Sequence, residues 1–350
     1  MPNKDSKIKV GILGCTGAVG QKLVALLADH PFFEISALAA SEYSAGKLYK
    51  DAVNWKEQIS IPEHIKNIKV TRCDEKFDCR ILFSGLDSSV AGKYESENAS
   101  AGYIVVSNSK NHRMNDDVPL VIPEVNPEHF DLIEIQKKKI KNGGFIVTNP
   151  NCSTIILAIA LSTINKKFGL KKVIVTTMQA ISGAGYPGIS SLDIMGNLIP
   201  YISDEEEKIE TELLKIFGSF ENGKITPAEI IVSAVCNRVD VKDGHTLSIS
   251  IETDKKAEKD ELIKSFDSIN NLSKLNLSPE KVIKYFDDPK RPQPLYDLYI
   301  NNGMTVSIGN IRKCNVLDWK FTALGHNTIR GAAGAAILNA EWLLKNEYID

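Results

Sequence analysis

Neither sign of charge is in excess in this chain. Forty-two basic and 44 acidic side chains leave a formal net charge of −2, without the cationic surplus that nucleic acid or an anionic membrane surface selects. No hydrophobic run is long enough to span a bilayer, and the polar segment Met1 to Lys9 lacks the apolar centre of a signal peptide, so a cytoplasmic protein is expected. Six cysteines, at positions 15, 73, 79, 152, 236 and 314, are few for 350 residues and form no C-x-x-C pair. This spacing predicts reduced thiols rather than a disulfide framework or a zinc site. Repeats and low-complexity tracts are missing too. What remains is a globular composition, 43% hydrophobic, in a chain long enough for two domains.

The first half alternates short apolar runs with helical or loop segments. The runs Ile8–Leu13, Phe33–Leu38, Ile68–Val70, Arg80–Phe83, Tyr103–Val106 and Phe145–Val147 have the rhythm of a doubly wound parallel sheet. The first leads into Gly14-Cys15-Thr16-Gly17-Ala18-Val19-Gly20 and a helical run, Gln21–Leu27. A glycine turn between strand and helix lets backbone approach a pyrophosphate, whose charge then sits at the helix N-terminus. The G-x-x-G-x-x-G spacing is one residue longer than the usual dinucleotide fingerprint. The second run ends in Ala39-Ala40-Ser41 with no carboxylate at its tip for ribose hydroxyls. Ser41, Ser44 and Lys47 can instead receive a 2′-phosphate, which points to NADP, while the nearby Glu42 keeps NAD possible. Ser84 and Gly85 end another strand at the ligand-binding edge, and Arg113 lies in the loop after a further one, where it can hold a phosphate or a carboxylate. His112 and His129 read as ordinary loop residues.

Between Phe145–Val147 and the helical run Ile155–Leu161 lies Thr148-Asn149-Pro150-Asn151-Cys152-Ser153-Thr154, which sets a thiol at the start of a helix. Unpaired N–H groups and the helix dipole there stabilise a thiolate and offer donors to an oxyanion, so Cys152 is the candidate nucleophile.

Beyond this helix the pattern becomes β-rich. The runs Lys171–Ile181, Glu229–Val239, His245–Glu252, Met304–Arg312 and Leu317–Leu324, with helices near Glu205–Phe217 and Glu258–Asn271, predict a largely antiparallel sheet with helices on one face. His245 follows a Lys-Asp-Gly turn and Arg238 precedes it by seven residues, as if in the neighbouring strand of a hairpin. Arg238 can grip a carboxylate in a bidentate fork while His245 moves protons. Gln179 stands in a β-run that opens into Ser182-Gly183-Ala184-Gly185. Glu205 and Lys208 share one side of a helix. The last segment, Asn327–Lys345, reads as an alanine-rich amphipathic helix packing back on the first domain.

These motifs in this order resemble aspartate-β-semialdehyde dehydrogenases, and the archaeal and fungal branch most. The resemblance rests on Asn151-Cys152-Ser153-Thr154, Gln179 with its glycine loop, Arg238 with His245, the Gly14–Gly20 loop, Ser44-Ala45-Gly46-Lys47, Arg291-Pro292-Gln293-Pro294 and His326 to Gly334. It implies a Rossmann-type doubly wound domain, 1–151 with 327–350, and an α+β catalytic and dimerisation domain of GAPDH-like type, 152–326. It implies Cys152 as nucleophile, His245 as acid and base, Gln179 orienting the intermediate and Arg238 on the substrate carboxylate. Asn151, Arg113 and Lys208 would surround phosphate and oxyanion, and Glu205 would meet the substrate amine. Cofactor contacts are expected at Gly14, Thr16, Gly17, Ala18, Val19, Ser41, Ser44, Lys47, Ser84, Gly85, Ser182, Gly183 and Asn327. The implied reaction is reversible NADPH-dependent reduction of aspartyl phosphate through a cysteine thioester, with inorganic phosphate as the second partner, in a homodimer or homotetramer. The alternative is an acyl-thioester reductase such as malonyl-CoA reductase. Two positions depart from the family: Tyr43 stands where an arginine is common, and Cys15, in place of a small alanine, suggests a second reactive thiol near the cofactor.

Overall fold

The computed structural model describes residues 7–140 and 142–349. Six strands, β1 (Ile8–Leu13), β2 (Phe33–Ala40), β3 (Thr71–Arg72), β4 (Ile81–Ser84), β5 (Ile104–Ser107) and β6 (Phe145–Thr148), form a parallel sheet in the order β3-β2-β1-β4-β5-β6. Strands β4, β5 and β6 are buried on both faces, as a sheet covered by helices on either side requires. The run expected as a strand at Ile68–Val70 pairs three residues later, where Thr71 and Arg72 meet Ala39 and Ala40. Four strand ends stand level: Leu13 pairs with Ser84, Ser84 with Ser107 and Ser107 with Thr148. The chain therefore leaves the sheet in one row at Gly14, Gly85, Asn108 and Asn149. The strand order reverses at this edge between β1 and β4, where such sheets bind ligands.

The remaining strands are β7 (Leu170–Gln179), β8 (Leu198–Ile199), a hairpin of β9 (Ser219–Glu221) and β10 (Lys224–Thr226), β11 (Ile231–Val239), β12 (His245–Thr253), β13 (Ile283–Phe286), β14 (Val306–Lys313) and β15 (Trp319–Gly325). Apart from the hairpin they make a seven-stranded sheet in the order β13-β14-β15-β12-β7-β11-β8. It is largely antiparallel, but β7 with β11 and β13 with β14 run parallel. One correction to the sequence reading concerns β11 and β12, which are not a hairpin. Strand β7 lies between them, and their connector crosses over its end, where Ile181 and Ser182 donate to the carbonyls of Val241 and Lys242. The connector Asp240–Gly244 easily spans the roughly 10 Å between next-nearest strands.

The helix Cys152–Phe168 packs its apolar residues onto one face of this sheet. Asn151 caps it, its Oδ1 accepting from the Ser153 and Thr154 N–H groups at 2.9 and 3.2 Å. Gly169, at φ +69°, ends it after Lys166 and Lys167, whose charges suit the C-terminal dipole. The opposite sheet face leaves Ile174 and Val235 exposed.

The final segment differs from the expected amphipathic helix. After a turn at Asn327 and Thr328 it forms a π-helical stretch, Ile329–Ala333, and then the α-helix Gly334–Lys345, buried on nearly every side up to Glu341. Ala335 belongs to the core of the seven-stranded sheet, whereas Ala333, Ala336, Ile337, Ala340 and Leu343 belong to that of the six-stranded one. Small residues on all sides let the segment run between the two cores.

Candidate active site

Both sheets present their ends to one cavity of about 410 Å³, bordered by Ala18, Val19, Asn108, Lys110, Arg113, Asn151, Cys152, Ser182, Gly183, Glu205, Lys208, Asn327 and Gly331. The nucleotide loop, the cysteine turn, the glycine loop and the final segment thus converge, although they lie far apart in the chain.

Cys152 Sγ lies 3.2 Å from His245 Nε2. Strand β7 brings the histidine there: Thr246 pairs with Met178 and Arg238 with Gln179, so His245 and Arg238 flank Gln179 at one sheet end. Gly183 covers them, since a Cβ added to it would stand 2.8 Å from Arg238 Nη1 and 3.0 Å from His245 Cε1. The Ala180 N–H donates to His245 Nδ1 at 3.1 Å. A neutral ring that accepts at Nδ1 carries its proton on Nε2, the atom facing the sulfur. Burial, then the Arg238 charge, holds the imidazole down at about 3. Burial, then Glu205, pushes the Cys152 thiol up to about 12 against the opposing charges of Arg238 and Arg113. Burial thus works in both groups against the charged form that the helix position favours at the sulfur.

Around them the polar groups are tightly assigned. Glu205 accepts from Asn151 Nδ2 at 2.9 and 3.1 Å, from Gln179 Nε2 at 3.1 Å and from Lys208 Nζ at 2.9 Å. Burial opposes its charge, but Lys208 and these amides hold the carboxyl below the usual range. Asn151 is consequently committed at both ends of its side chain and cannot also reach an oxyanion. The Cys152 N–H, at the first helical position, lacks an intrahelical acceptor and can take that part. Arg113 and Arg238 are buried, and the Nε of each has no hydrogen-bond partner, so both retain a donor for an anion. Asn327 ties Ser182 Oγ to the Gly244 N–H, joining the glycine loop to the turn before His245.

At the nucleotide loop, Gly14 adopts φ +76°, and a Cβ there would meet the Gly85 carbonyl at 2.8 Å. Helix Ala18–Leu27 starts from Gly17 with no side-chain cap, leaving its first N–H groups to a ligand. Thr16, Gly17, Ala18 and Val19 line this start, and Ser84 stands beside it in register with Leu13. This cradle fits a dinucleotide pyrophosphate. Ser41, Ser44 and Lys47 lie in the turn after β2, where Ser41 O accepts from Ser44 N and Lys47 Nζ sits 4.3 Å over the Tyr43 ring. Glu42 is tied to Arg72 at 3.1 Å rather than free for ribose hydroxyls.

Three sequence readings need correction here. Cys15 is fully buried, and burial drives its thiol well above the ordinary range, so it is no second reactive thiol. His112 and His129 are buried rather than ordinary loop residues, the latter bonded to Asn126 and to the Gly218 carbonyl. Sequence reading also missed Glu212, Lys110, Arg72 and the buried ion pair of Arg330 with Glu124 at 2.8 Å. Only Glu212 carried a signal, seven residues after Glu205 and hence on the same helix face.

Residues 9–133 match the family described as "Semialdehyde dehydrogenase, NAD binding domain", and 161–330 match "Semialdehyde dehydrogenase, dimerisation domain". The chain is 49% identical to the aspartate-semialdehyde dehydrogenase of Archaeoglobus fulgidus, covering 98% of this chain and 100% of that one. It is 46% identical to that of Schizosaccharomyces pombe, over 96% and 98%. The crystal structure of the Candida albicans aspartate semialdehyde dehydrogenase with NADP superposes with a TM-score of 0.90 at 43% identity, over 98% of this chain and 100% of that one. Aspartate semialdehyde dehydrogenase II of Vibrio cholerae, complexed with ASA, gives 0.78 at 26% identity, over 97% and 99%.

Proposed function

The chain belongs to the aspartate-semialdehyde dehydrogenase family, and we propose that it reduces L-aspartyl 4-phosphate to L-aspartate 4-semialdehyde with NADPH, reversibly, on the route to lysine, methionine and threonine. The observation that carries this reading is a cysteine thiol 3.2 Å from a histidine, on a cavity that also holds the cationic side chains Lys110, Arg113 and Lys208.

In the reductive direction Cys152 Sγ attacks the acyl carbon, the carbon–oxygen bond to phosphate breaks, and a thioester forms. The thiol proton leaves with the phosphate. Arg113 and Lys208 neutralise the departing phosphate, and Arg238 holds the α-carboxylate in the fork its free Nε permits. Glu205 meets the substrate amine, and Gln179, fixed by Glu205, orients the carbonyl. NADPH, when bound along Gly14–Val19 and toward Ser182 and Asn327, supplies the hydride. The Nε2–H of His245 donates a hydrogen bond to the oxygen that gains charge; as that oxygen re-forms the carbonyl the carbon–sulfur bond breaks, the aldehyde leaves, and a proton from solvent restores the Cys152 thiol. Ser41, Ser44 and Lys47 form the 2′-phosphate end. Splitting one hard step into two is the reason for the cysteine.

We further infer a cytoplasmic homo-oligomer, with the exposed face around Ile174 and Val235 covered by a second copy in a homodimer or, doubled, a homotetramer. Among the described residues no helix is long and apolar enough to cross a membrane.

The test is nicotinamide absorbance on mixing the protein with aspartate semialdehyde and NADP. Phosphate-dependent reduction, lost by about 10⁴-fold or more in Cys152→Ala, is expected. Near-native turnover of that variant would sink the reading. NADPH oxidation on malonyl-CoA, with none of the phosphate-dependent reaction, would replace it with the acyl-thioester alternative.

A further inference from the structure

Helix Glu205–Ile216 turns one face toward the active site, carrying Glu205, Lys208, Glu212 and Lys215 at spacings of three, four and three. The first two residues border the cavity. The other two act behind it. Lys215 Nζ donates to the carbonyls of Arg113, Asn115 and Val118 at 2.7, 2.7 and 2.9 Å, clamping the loop that carries Arg113. Glu212 is buried, and its two oxygens serve two different elements. Oε1 accepts from Arg113 Nη1 at 2.8 Å, and Oε2 accepts from the backbone N–H of Asn151 at 2.6 Å. One carboxylate thus joins the arginine facing the cavity to the residue that caps the nucleophile's helix. With Nη2 of Arg113 held by the Asn108 carbonyl at 2.7 Å, the guanidinium is fixed in its plane and its unpartnered Nε is left for an anion.

We propose that Glu212 is a positioning residue for the phosphate half-reaction: it fixes Arg113 at a set distance from Cys152, so that the phosphate-binding cation and the nucleophile form one rigid unit. The inference rests on the reading above that Arg113 binds phosphate. Both bonds use an ionised oxygen, and such bonds are short and directional. A glutamine can offer an oxygen to only one of the two donors and turns an N–H toward the other. An aspartate keeps the charge but, one methylene shorter, cannot span both. If Glu212 merely offset positive charge, removing it would make the site more cationic and phosphate would bind more tightly. If it positions Arg113, phosphate binds more weakly although a negative charge has been removed.

The experiment is steady-state kinetics of phosphate-dependent aldehyde oxidation by Glu212→Gln, Glu212→Asp, Arg113→Ala and the Arg113→Ala/Glu212→Gln double variant. The expected result is a KM for phosphate raised about tenfold or more in both Glu212 variants, with KM for aldehyde and NADP within about twofold. In the Arg113→Ala background, Glu212→Gln should have no further effect on that KM, because the partner through which it acts is gone. An unchanged or lowered KM for phosphate in Glu212→Gln, or full additivity in the double variant, overturns the proposal. Should Glu212→Gln not fold, Glu212→Asp decides alone by the same criterion. If Arg113→Ala itself leaves the KM for phosphate unchanged, the phosphate assignment of Arg113 fails, and this proposal with it.

Discussion

Replacing Gly183 by alanine tests whether the glycine loop serves the catalytic groups beneath it or only the cofactor above. Its backbone is not in the left-handed region, so alanine adds no torsional strain there. What it adds is one methyl group, at 2.8 Å from Arg238 Nη1 and at 3.0 and 3.2 Å from Cε1 and Nε2 of His245. Ordinary contact requires about half an ångström more, and neither partner yields freely. Arg238 Nη1 is bonded to the Ala180 carbonyl at 2.8 Å, and His245 is held by the Ala180 N–H. A displacement near 1 Å costs on the order of 100-fold in rate, so kcat/KM for the aldehyde should fall roughly 10- to 100-fold. The loop is exposed and no cavity is created, so stability should change by no more than about 0.5 kcal/mol and the Tm by under about 2 °C. The assay is steady-state kinetics beside a thermal melt. An aldehyde kcat/KM within twofold of wild type, or a defect confined to the KM for NADP, would refute the reasoning.

Further outcomes are expected elsewhere in the site. Gly331→Ala puts a Cβ 2.7 Å from Cys152 Cβ and 3.0 Å from its Cα, so the nucleophile itself must move; kcat should drop by about 100-fold or more, and near-native kcat would contradict the packing described. Because burial raises the Cys152 thiol to about 12 and lowers His245 to about 3, the thiolate forms only as pH rises. Alkylation by iodoacetamide should therefore climb about tenfold per pH unit through pH 9, and a plateau already reached below pH 7 would reveal a preformed thiolate–imidazolium pair. Nitrogen-15 spectra of the enzyme should report His245 with its proton on Nε2 and an acceptor at Nδ1; the reverse tautomer would remove the donor role derived from the Ala180 bond.

The parallel sheet was legible in the chain because its strands β4, β5 and β6 are apolar runs closed by serine or threonine and followed by glycine or asparagine, and only the two-residue β3 was misread. Cys152 and its helix were legible for the same local reason, an asparagine cap followed by a long apolar helix. Relations across the second sheet were not. Arg238 and His245 lie seven apart with a glycine between them, which reads as a hairpin, and nothing local says that β7, formed some sixty residues earlier, slides between them. The burial around the thiol was equally hidden, since helix position is a local property whereas desolvation depends on how distant segments close over the sulfur. Glu212 lay within reach of helical periodicity, but its partners Arg113 and Asn151 come from the loops after two distant strands, β5 and β6.

The final segment bears on how the chain is made. Ala333, Ala336, Ile337, Ala340 and Leu343 complete a core whose other members come from β1, β2, β4, β5 and β6 and from earlier helices, Leu23, Val24 and Leu27 among them. At roughly 5–20 residues per second, a ribosome needs on the order of ten to forty seconds to pass from β6 to this helix. For that interval this core is covered only by its earlier helices, and the second domain can reach its own pairing first. Cotranslational folding of this enzyme therefore cannot run strictly from the N-terminus onward. The nucleotide-binding unit, begun first, is finished last, and Gly331 comes to rest against Cys152 in the same event.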